Sequence, residues 1–229
     1  MSSKKVNSFL FAIIMCLCVS FLLALTSNGL KSRQILNAKI DKQKNILKAF
    51  HLIDKKKKYS KNEIQTIYNA NIKNMFLNKL TGEIKEDNFT DALPIFVMEK
   101  MGVMEKYAIP FKAYGLWSWI YGVIALNSDG CTVIGLTVFK HAETPGLGGE
   151  VEKDWFQDQF VNKKIVNNNN EFTSIQIAKS KAVDYYSESE LSYSIDGMSG
   201  ATITSKGLER DLKKELKKYE VLSKKLRRG

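Results

Sequence analysis

The chain has 229 residues, of which 44% are hydrophobic, enough for one domain with a core and short appendages. Its 35 lysine and arginine residues outnumber 24 acidic residues, which gives a formal net charge of +11. Because no aromatic-interleaved basic patch or nucleic-acid motif accompanies this charge, we do not predict a nucleic-acid partner. Cys16 and Cys18 lie in an apolar run and only Cys131 lies outside it, so we predict no disulfide in the soluble part. With only two histidines in addition, we predict no metal site.

An uncharged apolar run occupies residues 9–25, near the start of the chain. Its length is at the lower edge of a membrane-spanning helix. A cleaved signal peptide is the alternative, since basic residues precede the run. Residues 26–30 contain no clear small-x-small cleavage site, so we predict a retained transmembrane helix over 9–28 after a tail of residues 1–8.

The charges on either side of this run bear on its orientation in a membrane. Two lysines precede the run, whereas six basic residues follow it. By the positive-inside rule, this asymmetry favours a soluble part that stays in the cytoplasm. The basic residues that follow the run are Lys31, Arg33, Lys39, Lys42, Lys44 and Lys48.

Residues 29–100 are predicted to form a helical connector. Ser60 and Glu63 have the spacing of a capping box at a helix start. The stretch from Asp91 to Pro110 is predicted to be irregular, because prolines bracket it. The apolar residues assigned to one face of the capped helix are Ile64, Ile67, Tyr68, Met75 and Phe76.

Residues 101–229 are predicted to form one domain. Two apolar, β-branched runs at 121–127 and 131–139 are joined by Ser-Asp-Gly, which indicates a β-hairpin. A further strand is predicted over 172–177, after a polar turn at 167–170. Strands grouped between helices are typical of an α+β fold.

The chain ends in a basic segment, residues 205–229, with ten lysine or arginine residues against four acidic ones. Leucines recur in it at helical spacing, so we predict a helix whose apolar stripe packs on the domain and whose basic face is solvated. Contact of that face with acidic lipid headgroups or partner subunits is the alternative.

Residues 196–204 read Asp-Gly-Met-Ser-Gly-Ala-Thr-Ile-Thr, the most informative segment of the chain. Gly200 and Ala201 leave room for backbone to approach a phosphate, and a turn that enters a helix supplies unpaired N–H groups. An ordinary capping turn ahead of a helix is the alternative interpretation.

Two other segments also have a composition that suits a binding site. Residues 141–150 read His-Ala-Glu-Thr-Pro-Gly-Leu-Gly-Gly-Glu, a loop in which a proline and three glycines allow the backbone to lie flat against a planar ring. Residues 114–122 read Tyr-Gly-Leu-Trp-Ser-Trp-Ile-Tyr-Gly and precede an apolar strand. By itself the loop could be a surface turn rich in breakers.

Together the three segments resemble the FMN-binding domain family, whose members carry FMN on a threonine through a phosphoester. The 114–122 segment is similar to the version in the C subunit of the sodium-translocating NADH:quinone oxidoreductase, although Ala113 stands where a further glycine is usual. The related G subunit of the Rnf complex shares the other two segments but usually lacks this one, and it is the alternative within the redox class.

The resemblance implies an α+β fold: a single N-terminal transmembrane helix, then one FMN-binding domain with an antiparallel sheet and flanking helices. It implies covalent FMN and no catalytic side chain of the protein's own. The residues that it places at the cofactor are Thr202 as the covalent anchor, Ser199, Gly200, Ala201 and Thr204 near the phosphate, Glu143, Thr144, Leu147 and Gly148 in the loop, and Trp117 as a wall.

The resemblance further implies a subunit that relays electrons from NADH towards quinone while the complex exports Na⁺. Its partners would be the other subunits, the membrane and a flavin transferase that attaches FMN. No G-x-G-x-x-G fingerprint follows a strand, so we expect no NADH oxidation by this protein alone. The family places the domain outside the bacterial inner membrane, and we follow it because the charge rule is weak for long domains. A non-redox, membrane-anchored interaction module is the alternative of another class.

Overall fold

The computed structural model describes residues 3–228, and their side chains from residue 7 onward. The chain forms two compact units, which divide between Asp41 and Lys42. The first unit is helical and belongs to α1, Ser3–Ala49. From Asn7 on, α1 is long and apolar enough to cross a membrane, with a mean hydropathy of 2.8 in its most apolar part. Large apolar side chains there, such as Phe9 and Phe21, are exposed, as in a helix that faces lipid.

The second unit is built on one antiparallel sheet of six strands. Its spatial order is β2-β1-β3-β4-β5-β6, so every strand pairs with a neighbour in the chain, and β1 also pairs with β3. The strands are β1 (Lys73–Asn78), β2 (Ile84–Lys85), β3 (Ala92–Lys100), β4 (Val103–Tyr114), β5 (Trp119–Asn127) and β6 (Val133–Lys140).

Helices and short segments complete this unit. Two further strands, β7 and β8, form a small parallel pair apart from the main sheet. Short 3₁₀ turns occur at intervals between β6 and the last helices. The remaining elements are α2 (Lys61–Asn71), α3 (Asp154–Gln157), β7 (Gln176–Ile177), β8 (Ser194–Ile195), α4 (Thr202–Lys218) and α5 (Glu220–Arg228).

The sheet is covered on both faces. On one face, Leu208, Leu212 and Leu216 of α4 are buried in a continuous core with alternate residues of β3 to β6. On the other face lies the end of α1, where the Thr137 hydroxyl donates a hydrogen bond to the Asn45 carbonyl over 3.0 Å. Successive side chains of a strand point to opposite faces of the sheet, so the sheet packs against a helix on both faces. This architecture confirms the predicted α+β class with an antiparallel sheet and flanking helices.

Several local predictions are confirmed. Ser60 and Glu63 form the capping box of α2, and each side chain accepts a hydrogen bond from the backbone of the other residue. The Ser-Asp-Gly turn joins β5 to β6, and Gly130 there has a φ of +73°. Both signals depend on residues close together in the chain, which is why they are readable without tertiary information.

The helical prediction for 29–100 is wrong for its second half, which contains β1, β2 and β3. Helix α2 ends at Asn71, and Met75 and Phe76 belong to β1 rather than to a helix face. An apolar spacing that fits a helix also fits part of a strand when the match is short. Pairing with β3 decides for the strand, since residues Lys73 to Asn78 align with Val97 to Ala92.

The irregular structure predicted between Asp91 and Pro110 is also wrong, because β3 and β4 form a long hairpin there. Pro94 pairs with Phe76 of β1, and Pro110 pairs with Val123 of β5. The β3–β4 register ends at Phe96 and Ala108, and continuing it would set the two prolines opposite each other. Both prolines lie beyond the end of the β3–β4 pairing. The N–H group that a proline lacks is therefore not needed for hydrogen bonds between these two strands, and a proline is tolerated there.

Two smaller differences concern the C-terminal part. The strand predicted over 172–177 is reduced to the two residues of β7. The final helix is interrupted at Tyr219, which is buried and donates a hydrogen bond to the Pro94 carbonyl over 2.8 Å. The basic segment therefore forms two helices, and the tyrosine between them contacts β3.

Gly207 allows α4 to approach the end of β4, and this contact can be tested. A Cβ at Gly207 would lie 2.1 Å from the Tyr114 carbonyl oxygen. Alanine is normally favoured over glycine inside a helix by about 1 kcal/mol. We expect Gly207→Ala to lower the free energy of unfolding instead, by about 1–3 kcal/mol, because overpacking against backbone outweighs that preference.

The measurement is urea unfolding of the full chain in detergent, followed by tryptophan fluorescence, since Trp117, Trp119 and Trp155 all lie in the second unit. Gly29→Ala is the matched control, because a Cβ there would meet no atom within 4 Å. A Gly207→Ala variant as stable as the original chain would contradict the expected close packing.

Candidate functional site

The three sequence segments meet at one cavity of about 290 Å³ in the second unit. The turn after β4, the loop after β6 and the start of α4 each contribute part of its wall. Residues far apart in the chain thus converge because β4, β5 and β6 are neighbours in the sheet and α4 packs on β4. The lining residues are Leu116, Trp117, Glu143, Thr144, Leu147, Gly148, Gly200, Ala201, Thr202, Ile203 and Thr204.

Thr202 is the first residue of α4, and it is exposed at the mouth of this cavity. The residue before it, Ala201, makes no side-chain capping bond to the helix. The first N–H groups of a helix have no partner within the helix, and together with the helix dipole they favour an anion. Gly200 enters the helix with a φ of +70°, a conformation that favours glycine.

Thr204 lies two residues further along α4, but its hydroxyl faces the interior. The residue is 1% exposed, and its Oγ1 donates a hydrogen bond to Oε2 of Glu143 over 2.7 Å. The two threonines of the segment therefore differ in kind. Thr202 presents a hydroxyl at the surface, whereas the hydroxyl of Thr204 is already used in a buried contact.

Glu143 is the most heavily hydrogen-bonded side chain among the lining residues of this cavity. It is 5% exposed, and its carboxylate accepts N–H groups from the turn that follows β4. Oε1 accepts the backbone N–H groups of Trp117 and Ser118 over 2.9 and 3.0 Å. Oε2 accepts the backbone N–H of Leu116 over 3.2 Å, in addition to the Thr204 hydroxyl.

These bonds determine the ionisation of Glu143. Burial by itself would raise the pKa of the carboxyl, but the Thr204 hydroxyl and the three backbone N–H groups outweigh burial and hold the pKa below its usual value of 4.5. The group is therefore a carboxylate at neutral pH. Its negative charge is matched by four donors that converge on it.

Two glycines shape the space around this carboxylate. A Cβ at Gly115 would lie 2.6 Å from Oε1 of Glu143, and a Cβ at Gly148 would lie 2.6 Å from Oε2. A Cβ at Gly200 would lie 2.8 Å from Cδ2 of Leu147. The loop after β6 and the start of α4 therefore touch, and larger residues at these positions would push them apart.

The segment before Thr202 is held by hydrogen bonds and by burial on the side that faces the interior. The Asp196 carboxylate accepts the Ala182 N–H over 2.7 Å, and Met198 is fully buried. Ser205 accepts the N–H of Met198 at its hydroxyl over 3.3 Å. The residues left exposed in this segment are Ser199, Gly200, Thr202 and Ile203.

The rim of the cavity is apolar and open to solvent. Trp117 is 67% exposed, Ile203 62% and Leu147 45%. Exposed apolar side chains grouped in this way are uncommon on a surface that only meets water, and they mark binding sites. Such a rim can pack on a planar aromatic ligand.

Asp211 helps to hold α4 against the end of β4, and the sequence analysis missed it. It is 9% exposed, and its carboxylate accepts the backbone N–H of Tyr114 over 3.0 Å, which joins α4 to the end of β4. Hydrogen bonds from Arg210, with Lys214 beside it, hold the pKa of this carboxyl well below its usual range. The sequence offered one indication of this residue, since Asp211 is an acidic residue in a segment that is mostly basic.

The structure thus brings all but one of the predicted site residues together around one cavity. Trp117, Thr144, Leu147 and Gly148 line it beside the start of α4. Ser199 lies on the other side of Thr202, where it lines a second cavity of about 370 Å³ with Trp155 and Lys179. The part that each residue plays towards a ligand stays a prediction.

Comparison with known proteins points to the same part of the chain. Residues 115–217 match the FMN-binding domain family, a range that contains every predicted site residue. The C subunit of the Na⁺-translocating NADH-quinone reductase from Haemophilus ducreyi is 31% identical over 231 aligned residues, which cover 88% of this chain and 85% of the relative. The chain belongs to this family of reductase C subunits. The Pasteurella multocida C subunit is likewise 31% identical, over 90% of this chain and 88% of the relative.

Solved structures show the same architecture. The crystal structure of the reductase C subunit from Parabacteroides distasonis is 32% identical and superposes with a TM-score of 0.71, over 85% of this chain and 96% of that chain. The Shewanella oneidensis NqrC structure, at 21% identity and a TM-score of 0.67, shares the fold. The Haemophilus, Pasteurella and Parabacteroides relatives favour the C subunit of the reductase over the G subunit of the Rnf complex, which the sequence analysis left open.

The ionisation of Glu143 leads to a pH prediction. Its pKa is lowered on folding, so its contribution to the free energy of unfolding is complete above the pKa of the unfolded chain and is lost as pH falls through the folded pKa. We expect the melting temperature to fall below about pH 4.5, and to fall less steeply in Glu143→Gln, which has no group to titrate at this position.

Thermal unfolding of both proteins from pH 6 to pH 3, followed by circular dichroism, tests this prediction. Asp211 is present in both proteins, so its own acid-linked loss of stability cancels in the comparison. Parallel melting curves across that range would show that the Glu143 carboxylate is not stabilised by its four donors.

Proposed function

We propose that this chain is the covalently flavinylated electron-carrier subunit of a Na⁺-translocating NADH-quinone reductase, with FMN joined to Thr202. The observation that carries the proposal is the exposed Thr202 hydroxyl at the uncapped start of α4, beside a cavity with an apolar rim. Membership of the family of reductase C subunits and the FMN-binding domain match support it independently.

The residues present fit FMN. A phosphate on Thr202 would lie at the N-terminus of the 17-residue helix α4, where the backbone N–H groups and the helix dipole stabilise negative charge. The flavin ring would pack in the cavity against the rim of Leu116, Trp117 and Leu147. When bound, FMN supplies the one-electron chemistry, and the protein holds and orients it.

The environment of each hydroxyl supports Thr202 as the point of attachment. Thr204 is buried and bonded to Glu143, and Ser205 is 1% exposed, so neither presents a free hydroxyl at the surface. Ser199 is exposed but lies ahead of the helix start. Thr202 combines exposure with the first position of α4, where the phosphate would gain from the helix N-terminus.

The attachment site is tested by intact-protein mass spectrometry with peptide mapping, on protein co-expressed with a flavin transferase. We expect one FMN adduct on the Thr202 peptide. The adduct is expected to disappear in Thr202→Ala, because the other hydroxyls in the first turn of α4 are buried, and to persist in Thr202→Ser.

Ser199→Ala is the control, since it removes the neighbouring exposed hydroxyl and should keep the adduct. An unmodified chain, under conditions in which a known substrate of the transferase is flavinylated, would sink the proposal. The domain would then be an interaction module rather than an electron carrier.

As a member of the reductase complex, the chain would work with the other subunits and not alone. Electrons would pass through the FMN on their way from NADH to quinone, while the complex as a whole exports Na⁺. A flavin close to the apolar rim, near the surface, is accessible to a partner protein, and a covalent bond keeps it in place in both redox states.

We further propose that α1 anchors the chain in the bacterial inner membrane as a single span, with the second unit on the periplasmic side. The length and hydropathy of α1 from Asn7 on support a span. The basic residues that follow the apolar run favour the opposite orientation, but that rule is weak for a long translocated domain.

Orientation is measured by fusing a reporter after the last residue of the chain. We expect an alkaline phosphatase fusion, active only outside the cytoplasm, to be active, and a β-galactosidase fusion, active only inside it, to be inactive. The reverse pattern would place the domain in the cytoplasm, as the charge rule alone predicts.

A further inference from the structure

We propose that Glu143 is a positioning residue: it holds the turn of Trp117 and the first turn of α4 in one fixed arrangement, so that the flavin on Thr202 is held in a single orientation. This inference rests on the proposed function, and it assigns to Glu143 a role other than direct contact with the cofactor. The grounds are the hydrogen bonds of its carboxylate, the elements that donate them and the space around it.

The carboxylate has no capacity left for a ligand. An ionised carboxylate has about four acceptor sites, and each oxygen of Glu143 already accepts two hydrogen bonds from the protein. Gly115 and Gly148 bring backbone so close that a Cβ at either position would collide with these oxygens. The pocket around Glu143 is therefore built for its carboxylate.

The four donors come from two elements that are far apart in the chain. Three are consecutive backbone N–H groups of residues 116–118, in the turn between β4 and β5. The fourth is Thr204 in the first turn of α4, two residues after Thr202. One side chain thus links the aromatic wall to the attachment point and sets the distance between them.

Trp117 depends on this arrangement in particular. Its side chain is 67% exposed, so packing of the ring against the protein does little to fix it. Its backbone N–H, by contrast, is bonded to Glu143 over 2.9 Å. Loss of the carboxylate would leave N–H groups of the turn without acceptors, and the turn would rearrange to reach water.

Asp211 offers a matched control. It is a buried carboxylate, it accepts the N–H of Tyr114 over 3.0 Å, and it also ties α4 to the end of β4. It is not among the residues that line the 290 Å³ cavity. A general loss of packing should therefore appear in Asp211→Asn as well as in Glu143→Gln, whereas an effect on flavin orientation should appear only in the latter.

The experiment compares the full chain, Glu143→Gln and Asp211→Asn, each co-expressed with a flavin transferase and purified in detergent. Three quantities are measured: the FMN adduct by mass, the visible circular dichroism of the flavin and the decay of its fluorescence anisotropy. We expect all three proteins to carry FMN on Thr202, because the exposed hydroxyl does not touch Glu143. Both variants are expected to melt at lower temperature.

Only Glu143→Gln is expected to lose about half or more of the flavin dichroism and to gain a fast anisotropy phase, because a loosened supporting residue lets the ring move. Unchanged dichroism and anisotropy in this variant, or equal changes in Asp211→Asn, would overturn the inference. Absence of the adduct from the unsubstituted chain would instead refute the proposed function, and the inference with it.

Thr204→Val and Thr204→Ser keep the inference testable if Glu143→Gln does not fold. Valine has a similar shape but lacks the hydroxyl donor, and it leaves the three N–H bonds in place, so we expect a smaller change of the same kind. Serine keeps the hydroxyl and should restore the original dichroism and anisotropy. Equal signals from the two variants would overturn the proposed link between α4 and Glu143.

Discussion

The site depends on one buried carboxylate that must be satisfied by hydrogen bonds. Glu143 is charged and almost inaccessible to water, and a charge in that position is tolerated only if donors surround it. Its donors belong to the turn after β4 and to α4, and Glu143 itself lies in the loop after β6. Satisfying the charge therefore requires that these three segments meet, which is the same condition that forms the cavity.

The rest of the second unit brings these three segments together. Antiparallel pairing of β4, β5 and β6 brings the turn after β4 and the loop after β6 to the same end of the sheet. Gly207 lets α4 lie against the Tyr114 carbonyl, and Asp211 binds the N–H of the same residue. The helix that begins with Thr202 is thus fixed to the sheet at its second and third turns, whereas its first turn is bonded to Glu143 through Thr204.

Under the proposed function, this arrangement separates two demands on a covalent electron carrier. The hydroxyl that takes the cofactor has to be accessible, and Thr202 is exposed at the helix start. The groups that hold the surroundings have to be rigid, and Thr204, Met198 and Glu143 are buried and bonded internally. Two threonines in one short segment therefore differ: Thr202 is exposed, as the proposed attachment requires, and Thr204 is buried and bonded to Glu143.

The sequence by itself determined the features whose cause is local: the capping box of α2, the turn at Gly130 and the apolar length of α1. It also predicts a phosphate site at the segment that contains Thr202. Only the tertiary structure decided that β1, β2 and β3 lie within residues 73–100. The helix-like spacing that includes Met75 and Phe76 is short, and the pairing of β1 with β3 overrides it. The tertiary structure also decided that the Thr204 hydroxyl is buried against Glu143, since that contact joins residues 61 positions apart, beyond the reach of any local pattern.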